Sequence, residues 1–211
     1  MKKKLMTVLA LVLVVAMSVA GTYAYLTSTD EVVNTFTVGN VAITLDEAKA
    51  NLDGTLVDGA NRVKANSYKL LPGHTYAKDP TVTVLKGSEN SYVKMTVTFS
   101  NAAQLDAIFD PNGATLTSIF NGYDSTNWIY KGNTEDTANN TRTYEFWYKD
   151  TVDALNEAVV LDALFDSITV PGNITNEQLD SIKGMTITVN AYAIQADGLD
   201  TPEAAWAAFG A

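Results

Sequence analysis

The chain has 211 residues, no cysteine and one histidine, and its 24 acidic residues against 14 basic ones give a formal net charge of −10. The lack of cysteine excludes a disulfide scaffold, a cysteine nucleophile and thiolate metal sites. The acidic charge argues against nucleic acid as a partner, because phosphate contacts need clustered lysine and arginine.

Residues 1–24 have the pattern of a secretory signal peptide. Three lysines at positions 2–4 precede an apolar run over residues 5–20, and small residues follow. A retained membrane anchor is the alternative, since residues 5–26 are long enough for the ~20 residues of a spanning helix. A glycine, a threonine and two tyrosines dilute the far end of that run. We therefore predict export, with the membrane contacted only through the signal peptide before cleavage.

The local chemistry allows cleavage after Ala20 or after Ala24, because both sites place small residues where a signal peptidase reads them. Cleavage at the second site makes Tyr25 the first mature residue. The mature chain then loses the three lysines, and its formal charge becomes −13. Its length suits one domain with a sizeable core.

Residues 25–33 are mostly polar and carry no turn signal, so we predict an extended arm that leads into a β domain over residues 34–211. Apolar residues alternate through residues 34–45 and change parity at Gly39 and Asn40. A two-residue hairpin explains this change, and a β-bulge explains it equally well. Loops or a loose hairpin are predicted for residues 46–69, and a turn for residues 71–73.

Alternation of apolar and polar residues predicts the strands of the domain. These strands cover residues 81–85, 92–99, 128–130, 141–148 and 184–193. A polar loop is predicted at 132–140, and residues 152–165 fit either a helix or a strand. The pattern indicates a mainly β fold, namely an antiparallel β-sandwich of jelly-roll-like form with a few short helices.

Three short helices are predicted from their capping signals. The first covers residues 101–109, with Ser100 or Asn101 as its cap. The second covers residues 176–182, where Thr175 and Gln178 fit a capping box. The third begins after Thr201, with proline at its first position.

No catalytic or metal-binding signature is visible, so we predict no enzyme activity and no cofactor. His74 lies in a turn, and with no second histidine or cysteine it cannot anchor a usual zinc site. Adjacent acids do not have EF-hand spacing, and a solvated surface is favoured over Ca²⁺ binding. These acids are Asp30-Glu31, Asp46-Glu47 and Glu135-Asp136.

Six aromatic residues cluster in two of the predicted strands and fit either a carbohydrate groove or cross-strand core packing, of which packing is favoured. They are Trp128, Tyr130, Tyr144, Phe146, Trp147 and Tyr148.

Three stretches resemble the TasA/camelysin family of exported bacterial proteins. The first runs from Gly21-Thr22-Tyr23-Ala24 through a polar arm to Thr35–Leu45, with the sequence TFTVGNVAITL. The second joins Leu71-Pro72-Gly73 to the strand that begins at Tyr92. The third, residues 184–206, is similar to the C-terminal part of clostridial biofilm-matrix members.

The resemblance implies cleavage between Ala24 and Tyr25 by a SipW-type signal peptidase, and secretion from a Gram-positive cell to the extracellular matrix or cell surface. It implies a jelly-roll fold and homopolymeric biofilm-matrix fibres, in which the N-terminal arm of one subunit completes the sheet of the next by donor-strand exchange. A minor accessory matrix protein is a further partner that fits this interpretation. Leu26, Val32 and Val33 are the candidate apolar plugs of the arm.

Two alternative functions belong to other classes. Some family members are described as metallo-endopeptidases, which the single histidine of this chain disfavours. A monomeric surface or spore-coat adhesin would instead use the aromatic strands for binding.

Overall fold

The structure is a computed structural model that describes residues 39–109 and 119–209. The predicted signal peptide, the arm and residues 34–38 lie outside the described residues. The cleavage site at Ala24 and Tyr25 and the plugs Leu26, Val32 and Val33 therefore stay predictions. Within the described part, no helix combines the length and apolar character needed to cross a membrane.

The described chain is mainly β, with antiparallel sheets and three short helices, which confirms the predicted fold class at that level. The strands are β1 Ile43–Asp46, β2 Thr75–Ala77, β3 Thr81–Val84, β4 Ser88–Ser100, β5 Trp128–Asp136, β6 Thr141–Tyr148, β7 Val152–Ala154, β8 Val159–Val160, β9 Ser167–Thr169 and β10 Ile187–Gln195. The helices are α1 Ala102–Phe109, α2 Asn176–Ser181 and α3 Pro202–Phe209.

The strands form three sheets. The largest has the order β10-β4-β6-β5, with β7 pairing the first part of β4. A second sheet has the order β1-β3-β8, and β2 pairs β9 in a two-stranded sheet. Over the described residues these sheets are not closed into one another, so the predicted jelly-roll form stays a prediction.

Strand β4 is the centre of the largest sheet and was the strongest strand in the sequence. Val93, Met95, Val97 and Phe99 on its inner face are fully buried. The strand is longer than predicted, since it begins at Ser88. Its pairing with β6 on one side and β10 on the other fixes this row of side chains in the main core.

The aromatic residues of β5 and β6 contribute mainly to packing. Trp128, Tyr144 and Phe146 are at most 2% exposed. Phe120 lies between them, with ring centroids 5.4 Å from Tyr144 and 5.9 Å from Phe146. Trp147 on the opposite face packs 6.2 Å from Trp206 of α3. The favoured interpretation, core and cross-strand packing, is thus confirmed for the buried members of this set.

One strand prediction is corrected, and for residues 152–165 the structure shows the strand alternative. Strand β5 continues to Asp136, through half of the predicted loop, because a register shift near Gly132 (φ +124°) keeps the polar residues paired with β6. Residues 152–165 contain β7 and β8 and no helix, because the first pairs with β4 and the second with β3. The loose hairpin is confirmed by isolated bridges between Glu47 and Val63 and between Ala50 and Leu56.

The helix caps agree with the sequence in two cases out of three. The capping box of Thr175 and Gln178 is present, and Thr201 Oγ1 accepts a hydrogen bond from Ala204 N at 3.1 Å. For α1, however, Asn101 has φ +59°, which is not the extended backbone of a usual N-cap. Asn140 supplies the cap, since its Oδ1 accepts from Ala103 N and its backbone oxygen from Ala102 N.

Candidate assembly edge of the large sheet

Strand β10 is an edge strand with one open side over the described residues. It pairs only with β4, from Ile187 opposite Phe99 to Gln195 opposite Ser91. Backbone hydrogen bonds continue this pairing at both ends, from Ser100 N to Thr186 O and from Ala196 N to Asn90 O. The even-numbered residues of β10 therefore direct their N–H and C=O groups towards β4. Because antiparallel pairing alternates, the odd-numbered residues turn their N–H and C=O groups to the open side.

The side chains of these odd-numbered residues face the core and are only half-buried. Ile187, Val189, Ala191 and Ala193 all pack against the main core but keep partial exposure. The residues opposite them on β4, by contrast, are fully buried. The core is therefore incompletely covered along β10.

Strand β1 lies on the other side of this opening. Ile43 and Leu45 are half-buried against the same core, and β1 contacts β10 although no hydrogen-bonded ladder joins the two described strands. The open edge of β1 is partly occupied by its own chain. Lys64 Nζ donates to Leu45 O at 2.5 Å, and Glu47 exchanges backbone hydrogen bonds of 2.7 and 2.9 Å with Val63. The longer free edge is that of β10.

A groove borders the first three residues of β10. It consists of a cavity of 630 Å³ bordered by residues 66–70 and 183–187, and one of 370 Å³ bordered by residues 45–47, 64–66 and 187–189. The two cavities share Asn66, Lys78 and Ile187. The two cavities therefore adjoin at the start of β10, and the smaller one lies between β1 and β10.

The opposite edge of the large sheet, β5, is protected against pairing in ways that β10 is not. Strand β5 carries Lys131, Glu135 and Asp136 and a register shift near Gly132, which are devices that prevent edge-to-edge association. The sequence of β10, ITVNAYAIQ, has no charged residue and no proline, and its register with β4 is regular over nine residues. Of these two edges, β10 is the one suited to accept another strand.

Charged side chains and a half-buried phenol line the groove. Lys78 Nζ lies 2.6 Å from Glu47 Oε2, and both side chains are buried. Tyr68 donates from its hydroxyl to Ala77 O at 2.6 Å. Burial, and then the nearby Glu47 carboxylate, raise the pKa of Tyr68 well above its ordinary value. This ion pair and this hydrogen bond join residues that border the groove to one another.

The structure keeps the predicted polar residues apart. His74 is exposed in its turn. Asp46 bonds Arg62, Glu47 bonds Lys78, and Glu135 bonds Arg142. Within residues 39–109 and 119–209, no three histidine, aspartate or glutamate side chains converge as metal ligands would.

Sequence analysis missed the open edge, because residues 187–195 carry no charge and no proline and so resemble a central strand. No protein-family model matches the chain, and no curated protein is significantly similar to it. The relation to the TasA/camelysin family therefore rests only on the three stretches of resemblance.

Proposed function

We propose that the chain is an exported structural protein of the TasA/camelysin type that polymerises into extracellular matrix fibres. In this proposal the arm of residues 25–33 from one copy adds a strand to the open edge of β10 in the next. The observation that carries the proposal is the nine-residue edge of β10, whose outward backbone groups have no ladder partner among the described residues and whose core side chains are half-exposed. The arm also has nine residues, so arm and edge match in length at ~3.3 Å per residue.

Burial of the apolar residues of the arm makes the decisive contribution to the free energy of strand addition. Each main-chain hydrogen bond nets only ~0.5–1.5 kcal/mol, whereas ordering the arm costs ~1–2 kcal/mol per residue. Burial of Leu26, Val32 and Val33 can add ~1.5–3 kcal/mol each. The half-exposed side chains of Ile187 and Val189 offer an apolar surface for such residues.

Cleavage would control assembly in this scheme. Before cleavage after Ala24 by a SipW-type signal peptidase, the arm is joined to the apolar signal peptide and held at the membrane. After cleavage it can pair with a neighbour. A strand added between β10 and β1 would also bring the two larger sheets towards the closed, jelly-roll-like sandwich that the resemblance implies.

The test is deletion of residues 25–33 from the mature protein, followed by electron microscopy of the purified material. The matched control is the chain that begins at Tyr25, with its N-terminus sequenced. We expect fibres from the control and monomers from the deletion variant, which should keep the circular dichroism of a β protein. Fibres of undiminished length without the arm would refute the proposal.

A further inference from the structure

The charges around β10 are unevenly distributed along its length. Besides Lys78, three lysines border the groove at the start of the strand, and within the described residues none of the three forms an ion pair. They are Lys64, Lys69 and Lys183. Among the acids that border the same groove, Asp46 and Glu47 are already paired with Arg62 and Lys78, which leaves Asp180. In a chain of net charge −10, the start of β10 is a local excess of cations.

The other end of β10 is acidic. Ala196 N donates to Asn90 O at 2.8 Å, which brings the end of the strand beside Glu89. Asp197 and Asp200 follow directly, and all three of these acids are exposed. Lys94, the cation of β4 nearest this end, points its ammonium over the rings of Trp206 and Tyr192 on the outer face. The open edge therefore runs from a basic beginning to an acidic end.

The arm has the complementary polarity. Its two acids, Asp30 and Glu31, lie in its second half, and it contains no lysine or arginine. Cleavage after Ala24 gives Tyr25 a free α-amino group, which has a pKa near 7.7–8.0 and is largely charged at neutral pH. The arm therefore begins positive and becomes negative.

We infer that the arm of the neighbouring copy lies antiparallel to β10, in an orientation set by these charges. The inference rests on the proposed function and specifies its geometry. An antiparallel arm places Asp30 and Glu31 towards the lysines and the Tyr25 amino group towards Glu89 and Asp197. A parallel arm brings like charges together at both ends, which is unfavourable.

Orientation can be read by cross-linking, because the chain has no cysteine of its own. Four single-cysteine variants are needed, two in the arm and two in β10: Leu26→Cys, Val32→Cys, Ile187→Cys and Ala193→Cys. The two positions on each strand are six residues, or ~20 Å, apart. An arm variant and a β10 variant are mixed, assembled and treated with a flexible bis-maleimide linker that tolerates a slip of two residues, ~7 Å.

We expect dimers from Val32→Cys with Ile187→Cys and from Leu26→Cys with Ala193→Cys, at about tenfold higher yield than from the two exchanged pairings. A higher yield from the exchanged pairings would overturn the antiparallel orientation while supporting the proposed function. Fibres that give no dimers in any pairing would contradict both, because the arm would then lie away from β10.

The role of the charges is tested by reversing them. Lys69→Glu/Lys183→Glu changes the groove, and Lys131→Glu/Lys149→Glu makes the same change in net charge at exposed positions on β5 and just after β6, away from β10. At low salt we expect the groove variant to assemble roughly tenfold more slowly than the control variant. Adding Asp30→Lys/Glu31→Lys to the groove variant should recover most of the rate. Equal rates for groove and control variants, with the wild type assembling normally, would show that these charges do not orient the arm.

Discussion

Lys78 and Glu47 form an ion pair that borders the groove, with Nζ 2.6 Å from Oε2 and the two side chains only 9% and 7% exposed. Removal of one partner leaves the other charge buried and unpaired, which typically costs ~3–5 kcal/mol. We therefore expect Lys78→Met to lower the free energy of unfolding by about that amount in urea denaturation.

The exposed pair of Lys131 and Glu203 is the matched control for this prediction. Lys131 Nζ lies 3.3 Å from Glu203 Oε1, and the Glu203 side chain is 66% exposed. Glu203→Gln should cost ~1 kcal/mol or less. Equal losses for Lys78→Met and Glu203→Gln would show that the buried pair does not stabilise the groove.

Gly54 and Gly59 test the packing of the loose hairpin against β2. Gly54 has φ +91°, and a Cβ there would lie 2.5 Å from Thr75 O and 2.7 Å from Tyr76 Cα. Gly59 has φ +69° and open space around it. Gly59→Ala should lower the free energy of unfolding by only ~1–2 kcal/mol, the cost of holding an alanine in the left-handed backbone conformation. Gly54→Ala should lower the free energy of unfolding clearly more, because the backbone of Thr75 and Tyr76 must move to make room for the Cβ. Thermal denaturation of the two variants would show the difference.

Ala191 tests whether the open side of β10 accepts a strand. Its N–H points away from β4, so Ala191→Pro removes a donor from the open edge and leaves the β10–β4 ladder intact. We expect a folded protein whose fibre formation is blocked or strongly slowed, as measured by light scattering and electron microscopy.

Two controls accompany the Ala191→Pro variant. Ala191→Val adds bulk but keeps the donor, and it should still form fibres. Asn190→Pro removes a hydrogen bond to β4 and should instead lower the melting temperature. Normal fibres from a folded Ala191→Pro variant would mean that assembly uses another surface.

The raised pKa of Tyr68 leads us to predict that the protein loses stability at alkaline pH. Burial and the Glu47 carboxylate raise the pKa of its phenol in the folded protein, whereas the unfolded chain ionises near pH 10. The folded state therefore holds the proton more tightly, and its stability falls as the pH rises above about 10. We expect Tyr68→Phe, which cannot ionise, to show a smaller decrease in urea denaturation between pH 8 and pH 11. Parallel pH profiles for wild type and variant would contradict this assignment.

The elements that could be predicted from the sequence are those with a strong local signal. Strand β4 alternates apolar and polar residues over its whole second half, and the Thr175 capping box needs only four consecutive residues. The end of β5 had no such signal, because polar residues there are held by pairing with β6. The cap of α1 comes from Asn140, 37 residues away from the amide that it binds.

The candidate site was predictable only in part. Whether a strand lies at the edge of a sheet depends on how the other strands pair, which its own sequence does not contain. The alternation of residues 184–193 indicated a strand, but nothing local distinguishes an edge from a central strand when both faces carry uncharged residues. The half-burial of Ile187 and Val189 depends on the position of β1, which lies some 140 residues earlier in the chain.

The most direct measurement of the central claim is a cryo-electron microscopy structure of fibres grown from the mature chain. We predict a continuous strand of residues 25–33 hydrogen-bonded to the open side of β10, with chain connectivity that leads to a neighbouring subunit. A map in which that segment folds back into its own subunit, with neighbours in contact elsewhere, would contradict the account.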